Sequence, residues 1–156
     1  MRIGVAAAKG FCFALDLPLI ALNSLEVLVQ SVVEQDIDFI IPMLDARRME
    51  VYTALFDGRR QWRQQTSALV LSQDSFKDIV GVKKVLVLGD GAKKFVELNP
   101  LINVHYVSEK TYPNALNMVE LAWEKYANQD FESLGYFEPF YLKDFQITPS
   151  KKKMNV

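Results

Sequence analysis

Two residues have the side chains best suited to covalent or metal chemistry, His105 and Cys12, and each is the only one of its type in the 156-residue chain. His105 lies in the stretch Asn103 to Val107, with no His, Cys or carboxylate at ligand spacing around it. A structural or surface histidine therefore outweighs a metal ligand. Cys12 lies in an apolar helical segment with no charged neighbour to activate its thiol, which makes it a buried, inert thiol rather than a nucleophile. No nucleophile and base pair is in view, so metal-dependent or nucleophilic catalysis has nothing to stand on.

Two short polar segments could hold a ligand instead. Gly89-Asp90-Gly91 follows an apolar strand and precedes a helix, the setting in which backbone N–H groups can cradle a phosphate. Lys94 stands where a dinucleotide fingerprint has its third glycine, so a plain strand-to-helix turn is the simpler reading. Asp45-Ala46-Arg47-Arg48-Met49-Glu50 joins two apolar strands. It is either a solvated loop or the polar lip of a cleft, with Arg47 and Arg48 open to an anion or a partner carboxylate.

The elements that would position these residues follow from patterning. With 50% apolar and 12% aromatic residues the chain can bury a substantial core. Eighteen Lys and Arg against nineteen Asp and Glu give a net charge of −1, so nothing overall attracts nucleic acid or an anionic membrane. The lone cysteine fits a reducing compartment, and no apolar run reaches the roughly 18 to 20 residues of a membrane span. A cytosolic location is expected.

From Arg2 to Leu15 small residues (Gly4, Ala6, Ala7, Ala8, Gly10, Ala14) interleave with Ile3, Val5, Phe11 and Phe13, predicting a helix that must be covered on more than one side. It is either a helix buried wholly in its own fold or one that packs on its own sheet with one face and on a second protein with the other. Leu17 to Leu22 reads as a short buried strand, followed by a helix capped at Asn23 or Ser24 whose Leu25, Leu28, Val29, Val32 and Val33 repeat at helical spacing. Phe39 to Leu44, Glu50 to Asp57 and Gln61 to Leu71 predict three antiparallel strands, with a tight primed turn at Asp57-Gly58.

A short helix at Ser75 to Val80, a strand at Lys84 to Leu88, a helix at Ala92 to Leu98 and a strand at Asn103 to Val107 come next. Pro113 then opens a helix with the stripe Leu116, Val119, Trp123 and Tyr126. The aromatic tail Phe137 to Leu142 should pack back on the body, and Ser150 to Val156 should be a solvated end. Residues 38–130 thus spell β-β-β-α-β-α-β-α and residues 2–35 spell α-β-α, the close of the same string: one and a half copies of a duplicated α/β unit.

The stretches Arg2-Ile3-Gly4-Val5-Ala6-Ala7-Ala8-Lys9-Gly10, Pro18 to Leu25, Pro42-Met43-Leu44-Asp45-Ala46-Arg47-Arg48-Met49-Glu50-Val51-Tyr52, Leu88 to Gly91 and Glu138 to Leu142 resemble the TsaB (YeaZ) family, in order and over nearly the whole length. The resemblance implies the actin-like ATPase fold of the sugar kinase and Hsp70 group. It divides the chain into 1–36, the end of a first actin-like domain cut down to α-β-α, 37–130, a complete second domain, and 131–156, a C-terminal segment with a basic tail.

It also implies a non-catalytic scaffold subunit in the synthesis of N6-threonylcarbamoyladenosine (t6A) on tRNA, partner and activator of the catalytic subunit TsaD, with the small ATPase TsaE joining the pair. TsaD carries metal-binding histidines that this chain lacks. Tight cofactors and metals are not expected, at most weak ATP or ADP within the complex, and tRNA is met only through the complex. The resemblance places Arg2, Gly4, Ala6, Ala7, Lys9, Gly10 and Phe13 on the helix that faces TsaD. Asp45, Arg47, Arg48, Glu50, Gly89, Asp90 and Gly91 would line a cleft or bind a nucleotide.

Family members carry roughly 70 further residues before the position of Arg2. A front half missing at Met1 would leave the Leu17 to Leu22 strand with a bare edge, so the isolated chain is expected to self-associate as a homodimer. The competing readings are a nucleotide-binding ATPase of the same fold and, more remotely, a glycoprotease-type peptidase.

Overall fold

The computed structural model describes residues 2–100, 104–107 and 111–143. Its centre is a five-stranded mixed sheet in the order β3-β2-β1-β4-β5. The strands are β1 (Phe39–Asp45), β2 (Glu50–Asp57), β3 (Trp62–Val70), β4 (Val85–Leu88) and β5 (His105–Tyr106). β1 runs antiparallel to β2 but parallel to β4, which is parallel to β5 in turn.

Alternation of side chains across a strand sends neighbouring residues to opposite faces, and both faces of this sheet are covered. Ile40, Ala54, Phe56, Leu86 and Leu88 meet Leu25, Leu28 and Val29 of α2 (Ser24–Val29), with Val32 just beyond its end. Ile41, Met43, Val51, Val85 and Val87 meet α3 (Ala92–Leu98) through Ala92 and Phe95, together with Leu71 and Val80. The continuous apolar run of β4 is explained by this: all four of its residues are buried.

Proline in an inner strand removes a donor. At Pro42 the remaining carbonyl accepts from the buried Thr53 hydroxyl at 2.8 Å, so the one polar side chain in the middle of β2 is satisfied. Asn23 caps α2, its Oδ1 accepting from the Leu25 amide at 2.9 Å, and its Nδ2 ties the cap to Thr66 of β3.

Several expectations are corrected. Leu17 to Leu22 is not a strand; only Leu19 makes a single antiparallel bridge, to Glu132, where the Glu132 amide donates to its carbonyl. The chain enters that stretch from a Schellman turn. Asp16 takes φ 53 and the Leu17 amide donates back to Cys12 O. Ser75 to Val80 forms successive turns rather than a helix, because Phe76 sits at φ 59, where a right-handed helix cannot continue. α2 ends at Val29, and Val33, predicted on its buried stripe, is 83% exposed.

At Asp57-Gly58 it is Arg60, with φ 63, that takes the left-handed conformation. Gly58 is needed for a different reason, since a Cβ there would lie 1.9 Å from the Ile37 carbonyl oxygen. The predicted strand around His105 is seen only at His105–Tyr106, and Asn103 and the Ser150 to Val156 tail lie outside the described residues.

The helix predicted from Pro113 begins later, as a 3-10 turn at Leu116–Met118 running into α4 (Val119–Ala127). Its stripe does not face inward: Leu116, Val119, Trp123 and Tyr126 are 84, 62, 70 and 51% exposed. Helical spacing reports that an apolar face exists, not which surface covers it.

Candidate functional site

The helix α1 (Arg2–Leu15) has no buried residue. Fourteen residues of isolated helix are marginal in water, and this one is apolar on nearly every side. It leans on the rest of the chain through the half-buried Val5, Ala8, Lys9 and Cys12, one stripe at i, i+3, i+4 and i+7. The Lys9 ammonium donates to the Gly135 and Phe137 carbonyls at 3.2 and 3.1 Å, and the Arg2 guanidinium lies 5.5 Å over the Tyr141 ring.

The opposite stripe, Ile3, Ala7, Gly10 and Ala14, is exposed. Phe11 and Phe13 flank it, 68 and 81% exposed, and Ile3 is 88% exposed. A Cβ added to Gly4 or Gly10 would meet nothing within 4 Å. The surface is thus a shallow apolar trough of small residues between two aromatic walls.

Of the residues expected to face a partner, Gly4, Ala6, Ala7, Gly10 and Phe13 are on open surface. Lys9 is corrected: it is turned toward its own C-terminal segment. Arg2 is exposed but tied to Tyr141. Phe11 and Ile3, left out of the expected set, are open as well; their size at positions beside the small residues was the available signal. Cys12 is half-buried rather than buried, its Sγ 3.6 Å from the Pro18 carbonyl oxygen that it donates to.

The second group of expected residues does come together, at the end of the sheet where the carboxyl ends of the parallel strands β1 and β4 meet. The Asp45 amide donates to Asp90 Oδ1 at 2.9 Å, and Lys94 Nζ reaches Asp45 Oδ1 at 2.6 Å. Asp45 Oδ1 also accepts from the Arg47 amide at 2.6 Å. The Ala46 amide donates to the Glu50 carbonyl and the Glu50 amide to the Arg47 carbonyl, both at 3.0 Å. Lys143 pairs with the Glu50 carboxylate.

The glycine loop is shaped by β1 rather than opened toward a ligand. The Gly91 amide is committed to the Met43 carbonyl at 2.9 Å. Gly89 takes φ 100, and a Cβ there would sit 2.3 Å from Met43 O; one at Gly91 would sit 2.9 Å from Val51 Cγ1. Both glycines permit close packing, and the Asp90 carboxylate beside them is ill placed for a phosphate. Lys94, the residue that broke the dinucleotide pattern, is the brace that sequence reasoning missed.

Among the described residues no group of three or more His, Cys, Asp or Glu could hold a metal ion, and no helix is long and apolar enough to cross a membrane. His105 is exposed on β5.

The carboxylates of the two β-hairpins give a pH dependence. The Asp57 carboxyl is held below its ordinary 3.8 by the Gln61 amide first, with the Arg59 amide and the Arg63 guanidinium adding to it against the effect of burial. Asp45 is lowered chiefly by Lys94, then by the Arg47 amide. A depressed folded value means the stabilisation is in force above about pH 4 and is lost as the pH falls through the folded value. In urea titrations Asp57→Asn is expected to be less stable than the parent at pH 7 and to lose less on going to pH 3. Parallel losses in the two proteins would count against the assignment.

Comparison with known proteins places the chain in a family. A family model described as "TsaD: tRNA N6-adenosine threonylcarbamoyltransferase" matches residues 1–147. The chain is 29% identical over 157 residues to the tRNA threonylcarbamoyladenosine biosynthesis protein TsaB of Haemophilus influenzae, covering 92% of the chain and 64% of that protein. It is 45% identical over 65 residues to TsaB of Bacillus subtilis, covering 42% of the chain and 28% of that protein. The chain therefore spans less than two thirds of the curated relatives it matches.

Among solved structures, YeaZ from Pseudomonas aeruginosa superposes with a TM-score of 0.68 at 24% identity, over 90% of this chain and 67% of that one. An uncharacterised protein similar to peptidase YEAZ, from the same organism, gives 0.71 at 22% identity, over 91% and 67%. At that identity the likeness concerns the fold, a mixed α/β sheet of the actin-like kind.

Proposed function

Because the chain belongs to the TsaD family of tRNA N6-adenosine threonylcarbamoyltransferases, and within it to the TsaB (YeaZ) group, we propose that it is a non-catalytic scaffold subunit of t6A biosynthesis that binds and activates the catalytic subunit TsaD. The observation that carries the reading is α1, an apolar helix with no buried residue and an open trough at Ile3, Ala7, Gly10 and Ala14. Isolated apolar side chains at a surface are ordinary, but a whole helix of them marks an interface.

The layout that goes with this is an end piece of a first actin-like domain in 1–36, a second domain in 37–130, and a C-terminal segment in 131–156 that holds α1 through Lys9 and Arg2. Asp45, Arg47, Arg48, Glu50, Gly89, Asp90 and Gly91 form one end of the sheet and serve binding, not bond making. TsaE joins the assembly and tRNA is engaged through it. The ATPase reading is weaker because the loop that would cradle a phosphate gives its Gly91 amide to Met43. The peptidase reading is weaker because the chain has one histidine and one cysteine, on separate elements.

The test is to mix the chain with cognate TsaD and follow both complex formation and t6A synthesis on tRNA. A complex, with synthesis raised above that of TsaD alone, is expected. No binding at micromolar concentration would end the scaffold reading, and t6A synthesis by the chain on its own would end the non-catalytic one.

A further inference from the structure

Every buried side chain of the two core clusters comes from the stretch 25–95. Neither α1 nor the C-terminal stretch 132–143 contributes to them, so the cores do not fix the position of α1. Discrete anchors made by that stretch do.

The first lies just past the exit from α1, where the Glu132 amide donates to the carbonyl of the buried Leu19 at 2.8 Å. The second is a single turn of backbone, closed by the Phe137 amide donating to the Ser133 carbonyl at 2.8 Å. Its Gly135 and Phe137 carbonyls both accept from the Lys9 ammonium, at 3.2 and 3.1 Å. Hydrogen bonds from a charged donor are roughly twice as strong as neutral ones. The third anchor is the Tyr141 ring under the Arg2 guanidinium, at the start of the helix. Two residues further on, Lys143 pairs with the Glu50 carboxylate and fastens the stretch to β2.

Packing does not replace these anchors. Between α1 and the turn is an open notch of about 540 Å³, lined by Lys9, Gly10, Phe13, Leu134 and Gly135. The helix is therefore held at its start, its middle and its exit, with a gap beside the middle anchor. An element held in this way opens locally at lower cost than the sheet unfolds. A partner that binds only the docked helix then meets an affinity reduced by the docked fraction.

We propose that 132–143 is a strap that keeps α1 in its binding orientation, and that Lys9 is its positioning residue, tuning partner affinity from the inner side of the helix without touching the partner. This rests on the scaffold reading above. It changes the role that the resemblance gives Lys9, from contact to positioning.

The experiment follows amide hydrogen exchange in α1 and in β1 and β2, together with binding to cognate TsaD, for the parent, Lys9→Met, Lys9→Arg and Tyr141→Leu. Lys9→Met keeps the aliphatic stem and removes the ammonium, which should lower the docked-to-undocked ratio about tenfold. Exchange in α1 should rise about threefold and TsaD binding weaken about threefold, chiefly through slower association, since the two factors multiply to the change in docking. Exchange in β1 and β2 and the melting temperature should stay at parent values. Lys9→Arg can donate to both carbonyls and should restore both readouts, and Tyr141→Leu should move both in the direction of Lys9→Met.

Weaker binding with unchanged exchange would make Lys9 a direct contact. Faster exchange with parent-like binding would mean that docking of α1 does not limit the partner, and an equal rise in β1 and β2 would mean that the anchors belong to the global fold. Each of these, or no change in either readout, overturns the inference and leaves the scaffold reading standing as long as the parent binds. A parent that does not bind TsaD ends both.

Discussion

Replacing Gly89 by alanine is expected to lower the unfolding free energy by about 3 kcal/mol or more. Two effects act together. At φ 100 an L side chain is strained whatever the space around it, and the added methyl would lie 2.3 Å from the Met43 carbonyl oxygen and 3.0 Å from Leu28 Cδ2. The first atom is backbone of the central strand β1, at the point where the Gly91 amide already binds the same carbonyl. Relief would require β1 and β4 to part, disturbing both core clusters, since the two strands contribute residues to each.

Gly10→Ala is the opposite case. Gly10 lies inside α1 with nothing within 4 Å of its absent Cβ, so alanine should leave the fold intact and favour the helix by about 0.5–1 kcal/mol. Urea unfolding of the two variants beside the parent gives the comparison. A Gly89→Ala protein as stable as the parent would show that the glycine loop is not packed as described.

The sheet was readable from the sequence because the burial of its faces is written in the pattern of its own residues. β2 and α3 have the bounds that alternation and helical spacing suggest, and the apolar run of β4 reflects burial on both faces. Where the reading failed, local pattern was a poor guide to partners. Leu17 to Leu22 has the composition of a strand, but among the described residues only Glu132 pairs with it. The stripe Leu116, Val119, Trp123 and Tyr126 has helical spacing yet points outward.

Phe76, Arg47, Arg48 and Arg60 adopt left-handed backbone that their residue types do not announce. Of the candidate site, the grouping of Asp45 with Asp90 and Gly91 was legible as a loop pair. Its bracing by Lys94 and Lys143 was not, because residues 49 and 93 positions away from Asp45 and Glu50 supply the charge.

Ala7→Glu is expected to weaken binding to TsaD by about a hundredfold, equivalent to about 2.7 kcal/mol, with the melting temperature of the isolated chain nearly unchanged. Ala7 is exposed, in the middle of the trough formed by Ile3, Gly10 and Ala14, and the half-buried stripe of α1 is on the other side. Glutamate is nearly as good a helix former as alanine, so the isolated chain has little to lose. In a complex the carboxylate would be taken out of water into an apolar contact with no cation in α1 nearer than Lys9, whose ammonium is already held by the Gly135 and Phe137 carbonyls. Burying an unpaired charge in that way costs several kcal/mol, part of which is recovered when the partner shifts to readmit water. The paired readout separates interface from fold: a parallel fall in melting temperature would mean that the small-residue face of α1 is covered by its own chain, and normal binding would mean that TsaD does not touch it.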